Sequence, residues 1–369
     1  MKLTLFIGHH KTGSTSLQTY LAENYENLLS KGILYPAVEA KGVAANLASL
    51  LRGQDHKGPM DINIREPHNA LAFALLNEAT DFVIPDWHKN LPSAFQMLQL
   101  IEEQINAIHP DHTILCSEVM TLFSEKGWAK TMPRIRARFG RYDTTIVLNL
   151  RRIDEYLASW HLQRLKFGST HDPLRLGAQR FYHRTAHFRY DQIVYRWSDA
   201  LPKARLVVRN YSDVVRSGGT IADFFQQSQI NYELEDSTLN LNASIPYAMA
   251  EIVRKANAQI SQHRQEMISY IMSAIERIRY ASNQEVELYG QKQRDWLTKA
   301  FAPVHRNLSA HLGVTNFFPD MDDAAKCRAI PELDAANDAL AALRKDMHDF
   351  DLSQPIKDFL TTLSLNASA

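Results

Sequence analysis

Cysteine is nearly absent: 369 residues contain only Cys116 and Cys327, far apart and in no metal-ligand spacing. A disulfide framework is thereby excluded, and reduced thiols in a cytosolic chain are expected. A charge of one sign is absent too. Forty-one Lys and Arg offset forty-one Asp and Glu, so no overall field draws the chain to nucleic acid or an anionic membrane. Any anion must be held by a local site. Long apolar runs are missing as well, none approaching the roughly 20 residues of a membrane span. Residues 1–8 carry one cation and a brief apolar run before His9, His10 and Lys11, less than a signal peptide requires. A cytoplasmic location is expected, with no internal repeat and no low-complexity tract.

What remains is an ordinary globular composition, 45% hydrophobic and 22% charged, able to bury a full core. Residues 3–8 read as a short strand buried on both faces. A polar loop follows, then a helix from Ser14 with Leu17, Tyr20, Leu21, Tyr25 and Leu28 on one face and Gly32 at its end. The polar stretch 52–69, with scattered Gly and Pro, reads as a long surface loop. A helix over 94–108 precedes a strand at 113–116. Residues 144–150 form a third strand, followed by a helix over 153–166, and a helix over 188–201 precedes a fourth strand at 205–208. Strands alternating with helices predict an α/β fold, a central mostly parallel sheet flanked by helices. After residue 245 the pattern turns mainly helical, so the expected division is an α/β domain over 1–245 and a helical region over 246–369.

Chemistry concentrates in the loop after the first strand, His9-His10-Lys11-Thr12-Gly13-Ser14-Thr15-Ser16. Strand, small-residue loop and helix start together make an anion site, because free N–H groups converge there and the helix dipole adds positive charge. The plainer alternative is a helix capped by Ser14 beside a solvent-facing lysine. Gly8 and Gly13 have the glycine spacing of the phosphate loop G-x-x-x-x-G-K-[ST]. Here, however, position 14 is serine and the lysine comes early, at Lys11. The hydroxyl that would hold magnesium loses its context, which disfavours a magnesium-dependent kinase or nucleotide hydrolase.

Lys11-Thr12-Gly13-Ser14-Thr15 directly after a first strand resembles the sulfotransferase family, in particular its bacterial members. The resemblance implies a P-loop-like fold and the co-substrate 3′-phosphoadenosine 5′-phosphosulfate (PAPS), with adenosine 3′,5′-bisphosphate as product and no metal. It implies that Lys11 contacts the oxygen bridging phosphate and sulfate, and that Thr12, Gly13, Ser14, Thr15 and Ser16 hold the 5′-phosphate. The third strand ends in Arg151-Arg152, and Ser159 follows Arg151 by eight residues. This matches the family's pair on the 3′-phosphate, although Arg152-Ile153 stands where the family often has Asn-Pro after its arginine. The guanidinium fork suits a phosphate dianion, and Arg151 and Arg152 both qualify. Tyr211, at the end of the fourth strand, resembles the tyrosine that lies near the adenine. The segments 190–211 and 239–244 are similar to the family too.

Sulfuryl transfer to an alcohol or amine needs a base for the acceptor's proton and positive charge at the leaving phosphate. Lys11 supplies the charge. For the proton Glu118 is chosen by position, just past the second strand, where open α/β sheets place their ligands; His9 and His10 are rival bases. His161 and Lys166 read as ordinary surface residues. A non-catalytic protein binding PAPS or its bisphosphate product is the other alternative. Carbohydrate leads the expected acceptors, with a lipid or small metabolite behind it.

Overall fold

The structure, a computed structural model, describes residues 1–53, 60–88, 90–125, 127–234 and 244–365. Five strands form one sheet: β1 (Lys2–Phe6), β2 (Ile33–Leu34), β3 (His112–Cys116), β4 (Asp143–Leu150) and β5 (Arg205–Asn210). Their order is β2-β3-β1-β4-β5 and every pairing is parallel. The expected α/β architecture is therefore present. β1 and β3 are buried on both faces beyond Lys2, as strands covered by helices on either side must be. In register, Phe6 faces Cys116 on one side and Val147 on the other.

The first helix, α1 (Ser14–Glu23), lays Leu17, Tyr20 and Leu21 into a core with Phe6, Ile114, Val147, Phe224 and Phe225. It breaks at Asn24, whose side chain donates to the Tyr20 carbonyl at 2.8 Å. A second short helix, Tyr25–Ser30, carries Tyr25 and Leu28, and Gly32 follows at φ +73°. The two-residue strand β2 went unread in the sequence because so short an edge has no periodicity to detect.

The loop expected over 52–69 is corrected. Residues 54–59 lie outside the described residues, but Ile62–Arg65 and Pro67–Ala79 are helices. Asp61 caps the first, accepting from Asn63 N at 2.9 Å. Pro67 opens the second, where its missing N–H is harmless. Pro67, which looked like a helix breaker, is a helix starter. His161 is corrected too: it lies buried within Ile153–Lys166, and desolvation, then the Arg164 charge, lowers its pKa to about 4.

The chain forms two compact units, each assembled from three segments. The first comprises Met1–Arg151, Arg189–Leu241 and Val304–Phe317 and holds the whole five-stranded sheet. The second comprises Arg152–Phe188, Asn242–Pro303 and Phe318–Ala369. It is helical but for a small parallel pair, Val286–Glu287 with Ile330–Pro331. The similarity noted at 239–244 falls almost wholly outside the described residues. Among the described residues, no helix is long and apolar enough to cross a membrane.

Candidate functional site

A parallel sheet brings the carboxyl ends of its strands to one edge, and ligands of open α/β folds bind at that edge. Here β3, β1, β4 and β5 end side by side in Glu118, the 8–13 loop, Arg151 and Tyr211. The order of neighbours follows from pairing alone. Ladder bonds continue into the loop: Ile7 N donates to Val147 O at 2.9 Å, His9 N to Asn149 O at 3.1 Å, and Ser117 N to Phe6 O at 2.8 Å.

The loop is tightly braced. Lys11 and Gly13 both adopt left-handed conformations, φ +64° and +84°, and for lysine this costs about 1–2 kcal/mol. The Thr12 side chain donates to the His9 carbonyl at 2.6 Å, and Thr220 donates to the Thr12 carbonyl at 2.8 Å. Thr12 is fully buried, so its hydroxyl holds the loop's shape. Gly13, not Ser14, is the N-cap of α1, and no described side chain caps the helix. Its first N–H groups thus keep their capacity for an anion. Thr15 and Ser16 are half-buried on the first turn.

Gly13 is required twice. Its φ is positive, and a Cβ added there would lie 2.2 Å from Thr220 Oγ1. Gly13→Ala is expected to cost about 2–4 kcal/mol through backbone strain and the displaced threonine. A lowered melting temperature, partly recovered in the Gly13→Ala/Thr220→Ala double variant, checks this; an unchanged one refutes it.

Glu118 opens the short turn Glu118–Ser124 after β3. Its Oε2 is shut off from solvent and no described residue satisfies it. Oε1 faces Asn69 Nδ2 at 3.5 Å. Desolvation, then the charge of Glu66, raises the pKa of Glu118 to about 7. His10 moves the other way, lowered to about 4 by burial and then by the Lys11 charge. His9 is fully buried with its ring edge-on to Tyr190, 5.1 Å between centroids. Glu118 thus titrates near neutrality, where a general base works best, and His10 well below it.

The residues behind Glu118 were hidden from the sequence inside the misread 52–69 stretch. Asn69 Nδ2 donates to Glu66 Oε2 at 3.0 Å, and Ser117 donates to Asn69 Oδ1 at 2.7 Å. Arg65 pairs with Glu66 at 2.7 Å. His68 Nδ1 accepts from Cys116 N at 3.1 Å, fastening the helix Pro67–Ala79 to the end of β3. The signal available was Pro67 following an acid and preceding polar residues, a helix-start pattern.

Arg151 and Arg152 part company. The Arg151 guanidinium lies over the Tyr211 ring, 5.7 Å from its centroid, and its carbonyl accepts from Tyr190 Oη at 3.0 Å. Arg152 is surrounded by carboxylates: Asp154 at 2.7 Å, Asp320 at 2.6 Å, Glu155 at 3.3 Å and Asp323 at 3.8 Å. Ser159 is buried in Ile153–Lys166 and belongs to the second unit. Among the described residues, no group of three His, Cys, Asp or Glu is placed to hold a metal ion.

No family model matches the sequence. The chain is 26% identical, over 132 residues, to an uncharacterized protein of Archaeoglobus fulgidus. The match covers 34% of this chain and 35% of that protein, so the chain spans about a third of the curated relative it matches. Among solved structures it is similar to a sulfotransferase from Alicyclobacillus acidocaldarius, with a TM-score of 0.40 and 14% identity over 84% of this chain and 95% of that one.

Proposed function

We propose that the chain is a sulfotransferase moving a sulfuryl group from PAPS to a hydroxyl or amine acceptor, carbohydrate foremost, with Glu118 as base. One observation carries the reading. At a single sheet edge, a half-buried glutamate with a pKa of about 7, one of whose oxygens no described residue satisfies, neighbours a lysine-bearing anion loop. Transfer needs these two functions side by side.

In the proposed reaction the acceptor oxygen forms a bond to sulfur as the bond from sulfur to the bridging oxygen breaks. Glu118 Oε2 takes the acceptor's proton, and the electron pair leaves with adenosine 3′,5′-bisphosphate. Lys11 offsets the negative charge gathering on the leaving phosphate. The backbone amides from Gly13 to Ser16, with the Thr15 and Ser16 hydroxyls, hold the 5′-phosphate. Thr12 acts through the loop's shape. The Ser14 hydroxyl favours the ionised form of Glu118 and so couples the phosphate loop to the base. Arg151 takes the 3′-phosphate on the eight-residue spacing to Ser159, while Arg152 is held by four carboxylates, and Tyr211 is assigned to the adenine. Ser159 keeps its assignment to the 3′-phosphate from the sequence pattern. Every position assigned to nucleotide or base falls within 1–245, the proposed nucleotide-binding domain.

Thermal shift with adenosine 3′,5′-bisphosphate, PAPS and ATP, each with and without magnesium, tests the proposal. Bisphosphate at about 100 times its Kd should stabilise the chain by roughly 2.7 kcal/mol without metal. Sulfate transfer to a carbohydrate panel then completes the case. Stabilisation by magnesium-ATP alone would point to a kinase or hydrolase, and binding without transfer to a non-catalytic nucleotide binder.

A further inference from the structure

We infer that Asn69 and Glu66 are positioning residues for Glu118: Asn69 fixes its carboxyl in place, and the Glu66 carboxylate sets the charge it feels. The inference rests on the reading of Glu118 as the base and extends it to residues with no contact to donor or acceptor.

Asn69 is 3% exposed, and all its polar capacity is directed. Its Oδ1 takes the Ser117 hydroxyl, which leaves the amide nitrogen turned toward the two carboxylates. That nitrogen carries two hydrogens, one toward Glu66 Oε2 at 3.0 Å and one toward Glu118 Oε1 at 3.5 Å. The bridge therefore engages Glu118 through Oε1, and no described residue satisfies Oε2. Its base is rigid, because Ser117 is fully buried and His68 accepts the Cys116 amide. Glu66 is buried too, anchored by both nitrogens of the Arg65 fork, Nε at 3.2 Å and Nη2 at 2.7 Å.

Among the described residues, the other titratable and charged groups around Glu118 include Cys116 at the end of its strand and Tyr35, both held protonated by burial, with Arg65 beyond Glu66. His68, lowered to about 3 by burial, is neutral, and Lys11 and His10 occupy the neighbouring strand end. Arg196, from Tyr190–Ala200, reaches only the far end of the turn, at the Ser124 carbonyl. A negative charge at Glu66 disfavours ionisation of Glu118, whereas the Asn69 hydrogen bond favours it. Removing each should move Glu118 in opposite directions.

Two substitutions in the full-length chain test this, Glu66→Gln and Asn69→Ala. Two readouts apply: the acid limb of turnover against pH, and titration of the Glu118 carboxyl by carbon-13 NMR, assigned with Glu118→Gln. In Glu66→Gln the midpoint should fall, and in Asn69→Ala it should rise, each by about one pH unit. Asn69→Ala should also lower turnover about 10- to 100-fold near neutrality with little change in the KM for the donor. Raising the pH should recover the part of this loss that protonation causes. A purely structural role would lower stability or activity without opposed shifts. Midpoints that stay put, or move together, overturn the inference. Should Asn69→Ala not fold, Glu66→Gln decides alone, by a fall or its absence. The NMR titration needs no turnover, so it judges the positioning even if the chain transfers no sulfuryl group. Unimpaired turnover in Glu118→Gln would instead remove the base assignment itself.

Discussion

Glu118→Gln is expected to abolish most turnover while making the protein more stable at alkaline pH. Losing a general base costs about 10²- to 10⁴-fold in rate, and affinity for adenosine 3′,5′-bisphosphate should hardly change, because Glu118 is assigned to the acceptor's proton. The stability gain follows from the raised pKa. Between the ordinary glutamate value of 4.5 and about 7, the folded protein holds a proton at Glu118 that the unfolded chain has released. Stability from this group is complete below about 4.5, declines as pH rises through the window, and is lost above about 7. A shift of that size corresponds to an order of 2–3 kcal/mol at pH 8. Glutamine has the shape without the charge. At pH 8 the variant should melt several degrees higher, and near pH 4 the two proteins should coincide. Superimposable melting curves at pH 8 would mean that Glu118 holds no costly buried charge.

The same pKa sets the activity profile. Turnover should rise about tenfold per pH unit below 7 and level off above it, since only ionised Glu118 accepts the proton. A base at His10, lowered to about 4, would place the limb some three units lower. An acid limb near 4 would therefore transfer the role to His10.

The parts of this site legible in the sequence share one property: each is a local pattern. The 8–16 loop follows from a buried strand, a glycine and a run of hydroxyl residues before an apolar-faced helix, and the structure builds that strand, loop and helix in order. The α/β fold follows from alternation, because parallel strands need long crossovers and helices supply them. What stayed hidden depends on groups distant in sequence. Glu66 and Asn69 lie about 50 residues before Glu118, and the hydrogen bond joining Asn69 to Glu118 exists only once β3 and the helix Pro67–Ala79 are packed. Pro67 misled the reading because proline both breaks helices and begins them, and local composition does not separate the two uses. The burial of His161 likewise depends on which helix face the rest of its unit covers. The surroundings that bear on the choice between Arg151 and Arg152 were hidden for the same reason: Asp320 and Asp323, which pair with Arg152, come about 170 residues later.

That choice is also the most direct to test, because the two neighbouring arginines should fail in different ways. Arg151→Met is expected to weaken binding of adenosine 3′,5′-bisphosphate by about 2–4 kcal/mol, roughly 30- to 1,000-fold, for loss of a charged partner of a phosphate dianion. The Arg151 cation–π contact with Tyr211 contributes about 0.5–1 kcal/mol to the protein without nucleotide. Arg152→Met should instead act mainly on stability. Asp154 is almost wholly buried and, among the described residues, would keep Arg294, at 3.5 Å, as its cationic partner. Removing one member of such a network costs about 3 kcal/mol. Calorimetric titration with the bisphosphate and thermal melts of both variants separate these outcomes. Affinity lost in Arg152→Met and kept in Arg151→Met would reverse the assignment: the phosphate would then compete with Asp154 and Asp320 for one guanidinium, and binding would be expected to strengthen as pH falls and those carboxylates are neutralised.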